Sequence, residues 1–334
     1  MESADLKVFL MLSLSKHEEV ARPVILLYGP PMTTNTPKAA PTIPWTHLGL
    51  ALAVVAVWGS NFAVIKVALA HLPPLLFASL RFFFVAFPAV FFFKRPNVAW
   101  SRLATYGILI GLGQFGILYI AMNGQIAPGL ASLLMQTQVF FTIGLSMVLS
   151  GERVKAFQVI ALLIAAAGIG VIMAHADAST VTPLGLVLTF IASMSWAGGN
   201  ITARRDPGAD MLAYVSWASL FSIAPLVILS LTLEGWPAMV QAIRAADAAT
   251  WAAVAWQSLG NSLFGYSVWG WLLARHPAAS ITPMALLVPV FGMITANLML
   301  GEAMPVWKLT AAGLVMLGLG VNVAWPQISK TLRP

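Results

Sequence analysis

No cysteine occurs anywhere in the 334 residues, which removes disulfides, thiolate-ligated zinc and thiol catalysis together. Charge is nearly as scarce: Asp, Glu, Lys and Arg make up only 9% of the chain, while hydrophobic residues make up 59%. An ordinary globular chain is about a quarter charged. With a mean hydropathy of +0.86, the composition defines an integral membrane protein. Acids are outnumbered by bases, 11 against 18, for a net charge of +7. That excess does not mark nucleic-acid binding, because the cations lie in short loops between apolar runs, where they set topology. No Asp or Glu lies in the middle of any apolar run, and the five histidines lie outside the runs or at their ends. Proton relays and counter-charges for lipophilic cations ordinarily use such residues. No metal or cofactor site is read, and neutral or zwitterionic small molecules remain as ligands.

What is present is a series of apolar runs. From residue 47, ten stretches have the roughly 20-residue length that a helix rising about 1.5 Å per residue needs to cross a hydrocarbon core. Their limits are 47–67, 74–93, 103–124, 128–149, 156–175, 184–204, 211–233, 250–273, 279–300 and 306–325. Residues 1–46 differ, mixing charges of both signs with prolines, and the run Val8–Leu14 is too short to span. They read as a disordered or spurious leader, with Met32 as an alternative start. Lys38, Lys94, Arg95, Arg102, Arg153, Lys155, Arg204, Arg205, Arg275, Lys330 and Arg333 fall on one side, shared by both ends of the chain. The positive-inside rule makes that side, including the tail 326–334, cytoplasmic.

The chain also repeats itself. At a constant offset of 150 residues, Phe141 meets Phe291, Gly151-Glu152 meets Gly301-Glu302, and Gly168-Ile-Gly-Val171 meets Gly318-Leu-Gly-Val321. A constant period marks duplication, and residues 47–175 and 184–325 become two five-span repeats. Five is odd, so the second repeat lies inverted relative to the first, the arrangement of alternating-access transporters.

Polar and aromatic residues within the runs pair at helical spacing: Trp58 with Asn61, Tyr119 with Asn123, Trp196 with Asn200, Gln257 with Asn261, and Tyr266 with Trp269. Each pair shares a helix face, and lipid cannot satisfy an amide. The first, third, sixth and eighth spans are therefore expected to line a common cavity, joined by the fourth. Gln136 and Gln138 diverge by about 200° around that fourth helix, so one of them faces the cavity. A single amide is explained equally well as helix glue worth about 1 kcal/mol, but five such faces favour a cavity. Arg81, about 10 Å along the second span, is either a partner for a substrate carboxylate or a structural arginine that snorkels outward or pairs with Glu302. Lys66 with Glu302 and Arg204 with Glu152 occupy equivalent repeat positions and suggest matching closures. Alternatively, each glutamate simply favours the helix N-terminus that follows it. Pro283 and Pro289 interrupt the ninth span. Gly168, Gly170, Gly318 and Gly320 suit close packing, within the bundle or between protomers, so monomer and homodimer both stay open.

The runs Val57-Trp-Gly-Ser-Asn-Phe-Ala-Val-Ile-Lys66, Leu80-Arg81-Phe82, Gly129 to Gln138, Gly151-Glu152-Arg153, Ser195-Trp-Ala-Gly-Gly-Asn-Ile201 and Leu287-Val-Pro-Val290 resemble the EamA family of the drug/metabolite transporter superfamily. Gln136, Gln138, Trp196, Asn200, Gly265-Tyr266 and Trp269-Gly270 look most like the bacterial exporters of cysteine and O-acetylserine. The resemblance implies an all-α membrane protein of ten transmembrane helices in two inverted five-helix repeats, exporting small amino acids across the inner membrane. The expected substrate-binding set is Asn61, Arg81, Gln136, Gln138, Trp196, Asn200, Asn261, Tyr266 and Trp269, and the expected gating set is Lys66, Glu152, Arg204, Glu302 and Pro289. A sugar-phosphate or nucleotide-sugar carrier is the alternative, though it is expected to bury several cations. An intramembrane enzyme would need a nucleophile with a base on one span, and a non-transporting receptor would leave the repeats unexplained.

Overall fold

The structure, a computed structural model, describes residues 43–150, 155–175, 180–276 and 278–331. The leader expected over residues 1–46 lies almost wholly outside them. Among the described residues the chain is nearly all helix, with one isolated bridge between Ile126 and Val181 and no strand. Nine helices are long and apolar enough to cross a membrane: α1 (Trp45–Ala68), α2 (Pro74–Phe92), α3 (Trp100–Met122), α4 (Pro128–Leu149), α5 (Ala156–Ala174), α6 (Pro183–Arg204), α7 (Met211–Glu234), α9 (Pro283–Leu300) and α10 (Val306–Trp325). The unbroken helical run 248–275, here α8, is a tenth candidate. Its Gln257, Ser258, Asn261 and Ser262, all buried, lower its hydropathy. Between α7 and α8 a short helix, Trp236–Ala245, turns Met239 and Ala242 inward and leaves Trp236 exposed.

Local chemistry sets the ends. Pro74, Pro128 and Pro183 open their helices, where a fixed φ helps and the missing N–H has no partner to lose. Gly301, at φ 65°, closes α9 in the left-handed conformation that glycine adopts without a Cβ penalty.

The two halves interlock. α1 packs on α9 as α6 packs on α4; α3 packs on α6 as α8 packs on α1; α3 meets α7 as α8 meets α2; and α2–α7 and α5–α10 pair directly. Adding five spans to each pairing reproduces the set, as a two-fold relation between halves requires. Four irregular segments obey the same relation, while a π-helical turn at Ser230–Glu234 ends α7 alone. α3 and α8 each carry a π-helical stretch, Ile108–Gly116 and Trp256–Phe264. α4 is broken by a 3-10 turn at Met135–Thr137, and α9 begins with another at Thr282–Leu287. The interruption of α9 was expected from its prolines, and Pro289 sits at the start of its regular helix Val288–Leu300. α4 breaks without an internal proline. There Thr137 Oγ1 donates to the Leu134 carbonyl at 2.7 Å, an i to i−3 bond that favours the tighter turn.

Of the four glycines expected to pack closely, two do. A Cβ on Gly168 would lie 2.9 Å from the Ala311 carbonyl oxygen, and one on Gly318 would lie 2.5 Å from that of Ala161, so α5 and α10 meet backbone to backbone. Gly170 and Gly320 face open space. Gly318→Val is expected to destabilise the bundle by about 1–3 kcal/mol through overpacking, while Gly320→Ala leaves it unchanged or slightly more stable. Thermal unfolding in detergent, compared for the two variants, checks this.

Candidate functional site

α2 is held at its start by a carboxylate. Glu234 Oε1 accepts from Leu75 N at 2.7 Å and Oε2 from Leu76 N at 3.0 Å, and Ser230 Oγ donates to the same Oε2 at 2.6 Å. Two turns further on, α2 carries Arg81 into the bundle, where it is 1% exposed. Its Nη1 donates to Tyr119 Oη at 3.0 Å and to Gln257 Oε1 at 2.8 Å. Its Nη2 donates to Asn261 Oδ1 at 2.9 Å and Ser262 Oγ at 3.0 Å. The guanidinium face lies 3.5 Å from the Phe115 ring centroid. Every one of these partners is neutral, and no described carboxylate pairs with Arg81. The arginine neither snorkels outward nor reaches Glu302, the two structural roles considered for it.

Around Arg81 stand several of the expected residues. Gln257 Nε2 donates to the Asn61 carbonyl at 3.3 Å, and Trp58 Nε1 donates to the Asn261 carbonyl at 3.1 Å. The Trp58 ring lies 5.8 Å from Tyr266 and 5.2 Å from Trp269. Three buried atoms in the Arg81 half of the bundle have no hydrogen-bond partner: Arg81 Nε, Asn61 Oδ1 and Gln114 Oε1.

A second polar group lies apart from the first. Asn200 Nδ2 donates to Gln138 Oε1 at 2.9 Å, and both border a cavity of about 470 Å³ between α4, α5, α6 and α10. Thr142 and Ser146 continue the polar face of α4, Asn322 contributes from α10, and Lys155 and Arg204 stand at the cation-rich end. Of the spans expected to line a common cavity, the sixth and the fourth border this one, together with α5 and α10. Arg81 gathers polar groups of α3 and α8 onto itself. The two glutamines do diverge: Gln136 is buried and donates to the Ala285 carbonyl at 3.3 Å, across to α9. Trp196 is half-buried against the main core rather than at the cavity wall. Asn123 is exposed and caps α3, so the Tyr119–Asn123 face does not exist as a unit.

At the opposite, cation-poor end an ion pair ties the α9–α10 hairpin to α4. Glu302 Oε1 accepts from Lys308 Nζ at 2.9 Å, and its Oε2 accepts from the Gly129 N–H at 2.9 Å at the start of α4. Lys308 also donates to the Ala303 carbonyl at 2.7 Å and is 1% exposed. Lys66, expected to hold Glu302, makes no ion pair among the described residues; Lys308 lies six residues from Glu302 in the same hairpin and reaches it first. Arg204 is exposed at the cavity mouth, and Glu152 lies outside the described residues. Lys308, Ser262, Gln114 and Asn322 were not singled out from the sequence. Lys308 was legible there as the one cation sharing a hairpin with Glu302.

Two interlocked repeats of membrane-length helices packed around intramembrane polar groups define a polytopic membrane protein. The chain belongs to the EamA-like transporter family, which matches residues 45–174 and 183–324. Among its relatives are two probable amino-acid metabolite efflux pumps. The Salmonella typhimurium protein is 39% identical over 85% of this chain and 97% of its own length. The Escherichia coli protein is 39% identical over 82% of this chain and 93% of its own. A solved crystal structure superposes with a TM-score of 0.60 at 16% identity, covering 86% of this chain and 99% of that one, a likeness of fold alone.

Removing one member of a buried ion pair leaves the other charge stranded, at about 3–5 kcal/mol. Glu302→Gln is therefore expected to lower the unfolding temperature sharply, and the double variant Glu302→Gln with Lys308→Met is expected to recover most of the loss. Unfolding curves of the single and double variants test the pairing.

Proposed function

We propose that this protein is an alternating-access exporter of the bacterial inner membrane that carries small amino acids and related metabolites, of the cysteine and O-acetylserine type, outward. The observation that carries this reading is a polar cavity lined by Gln138 and Asn200, with Lys155 and Arg204 at its cation-rich end. On the other side Glu302, Lys308 and Gly129 tie the α9–α10 hairpin to the start of α4. The positive-inside rule places the cation-rich end and both termini in the cytoplasm, so this conformation accepts substrate from the cell. The two repeats then rock about the site, with the broken α4 and α9, Pro289 included, as bending points. Arg204 lies at the inner mouth, where closing would bring it toward α5. Asn61, Arg81, Asn261, Tyr266 and Trp269 engage the cargo once the Arg81 side opens. The names of the relatives, probable amino-acid metabolite efflux pumps, support the cargo class.

A sugar phosphate would call for several unpaired buried cations. Among the described residues Arg81 and Lys308 are the buried cations, and Lys308 is already held by Glu302.

Counterflow in proteoliposomes tests the reading. Vesicles preloaded with unlabelled cysteine, O-acetylserine, threonine, an aromatic amino acid or a sugar phosphate are followed for entry of the labelled partner, with and without a pH gradient. Small neutral amino acids are expected to exchange; exchange of sugar phosphate alone would overturn the proposal.

A further inference from the structure

Two of the unpartnered buried atoms are opposite in kind and belong to residues that share Gln257 as a partner. Arg81 Nε carries an N–H with no acceptor, and Asn61 Oδ1 is an acceptor with no donor. Both side chains are more than nine-tenths buried, at 1% and 4% exposure. Gln257 joins the two residues, accepting from Arg81 Nη1 through Oε1 and donating through Nε2 to the Asn61 backbone carbonyl, which leaves the Asn61 side-chain Oδ1 without a donor. An unmet donor or acceptor in a membrane interior is costly, and sites that leave such groups open are sites that something else fills.

We propose that Arg81 and Asn61 form a zwitterion subsite, in which the arginine receives the carboxylate of an α-amino acid and the Asn61 side-chain Oδ1 receives its ammonium. The proposal rests on the exporter reading and narrows it from metabolites in general to molecules carrying both groups. Arg81 is a fixed cation whose present acceptors, Tyr119, Gln257, Asn261 and Ser262, are all neutral, so an incoming carboxylate outcompetes any of them through a charge-assisted bond. Trp58 lies three residues from Asn61 on the same helix face, and with Tyr266 and Trp269 it offers aromatic surface that attracts an ammonium. The chemistry also excludes: an amine without a carboxylate leaves Arg81 as it is, a carboxylic acid without an amine leaves Asn61 without a donor, and a phosphate supplies acceptors alone. Because Arg81 is shut off from solvent here, the subsite fills in the conformation where α8 has drawn away from α2.

Competition against labelled cysteine counterflow, with the full chain in proteoliposomes, tests the subsite without any substitution. Unlabelled cysteine is expected to compete at least about tenfold better than cysteamine, which lacks the carboxylate, and than 3-mercaptopropionate, which lacks the amine, since a site with unmet polar groups rejects analogues that lack the partner. In Asn61→Ala the preference for cysteine over 3-mercaptopropionate is expected to disappear while cysteamine stays weak. Arg81→Lys keeps the charge, and with it the fold, but loses the planar fork; it is expected to erase the preference over cysteamine. Equal competition by all three compounds in the unaltered protein, with cysteine still exchanged, overturns the subsite and leaves the exporter standing. Absence of exchange for both cysteine and O-acetylserine overturns the exporter reading itself.

Discussion

A guanidinium inside an apolar bundle must find acceptors, and one half of this protein is arranged to supply them. Placing an arginine at the centre of a membrane helix costs about 3 kcal/mol on insertion scales. Side-chain hydrogen bonds between membrane helices return about 0.6 kcal/mol each on average, and Arg81 makes four. Those magnitudes nearly cancel. The neutral network is enough to keep Arg81 buried but not enough to make the closed arrangement deep. A lock built from a carboxylate would hold far harder, and it would also leave no reason for an anion to approach.

The repeats share a fold but not a chemistry. Pro88 of α2 and Pro225 of α7 are the prolines inside the two paired spans, 137 residues apart (225 − 88), and the same shift carries Arg81 to Ala218, a buried small residue of α7 that lies against Gly107 of α3. One half is built around a charge, the other around backbone contact. The loops differ in the same way. Lys308, which pairs with Glu302 at the cation-poor end, corresponds to Gln158 at the other end, whose Oε1 accepts from Lys155 N at 2.9 Å and caps its own helix. A buried ion pair on one side thus answers to a locally satisfied amide on the other.

Much of this architecture was legible in the sequence, and the reason is period. Apolar runs of membrane-crossing length, the recurring Gly-Glu turn and the sorting of cations between loops follow from the bilayer and survive in one dimension. What the sequence did not disclose is which polar groups meet. Hydropathy carries no register, so repeat equivalence pointed to Lys66 for Glu302, whereas the hairpin brings Lys308 to it. The break in α4 has no proline to announce it, and a π-helical stretch has no composition of its own. Tyr119 was paired with Asn123 on spacing alone, yet its hydroxyl turns to Gln257 at 3.2 Å while Asn123 ends the helix in solvent.

The π stretch of α8 is what lets Arg81 hold so many ligands. In an α-helix, residues five apart point about 140° away from each other, so Gln257 and Ser262 could not both reach one guanidinium. Wrapped at i to i+5, they do, and Ser262 Oγ also donates to the Gln257 carbonyl at 3.1 Å. Three of the four Arg81 ligands, Gln257, Asn261 and Ser262, lie in that stretch, and Phe115 comes from the matching stretch of α3. Arg81 itself sits on the regular helix Pro74–Ala86, anchored at its start by Glu234. The charge is therefore on the rigid element and its acceptors are on the irregular ones. A regular α-helix over the same residues could not present Gln257 and Ser262 to Arg81 together, so the π stretch and the buried charge depend on each other.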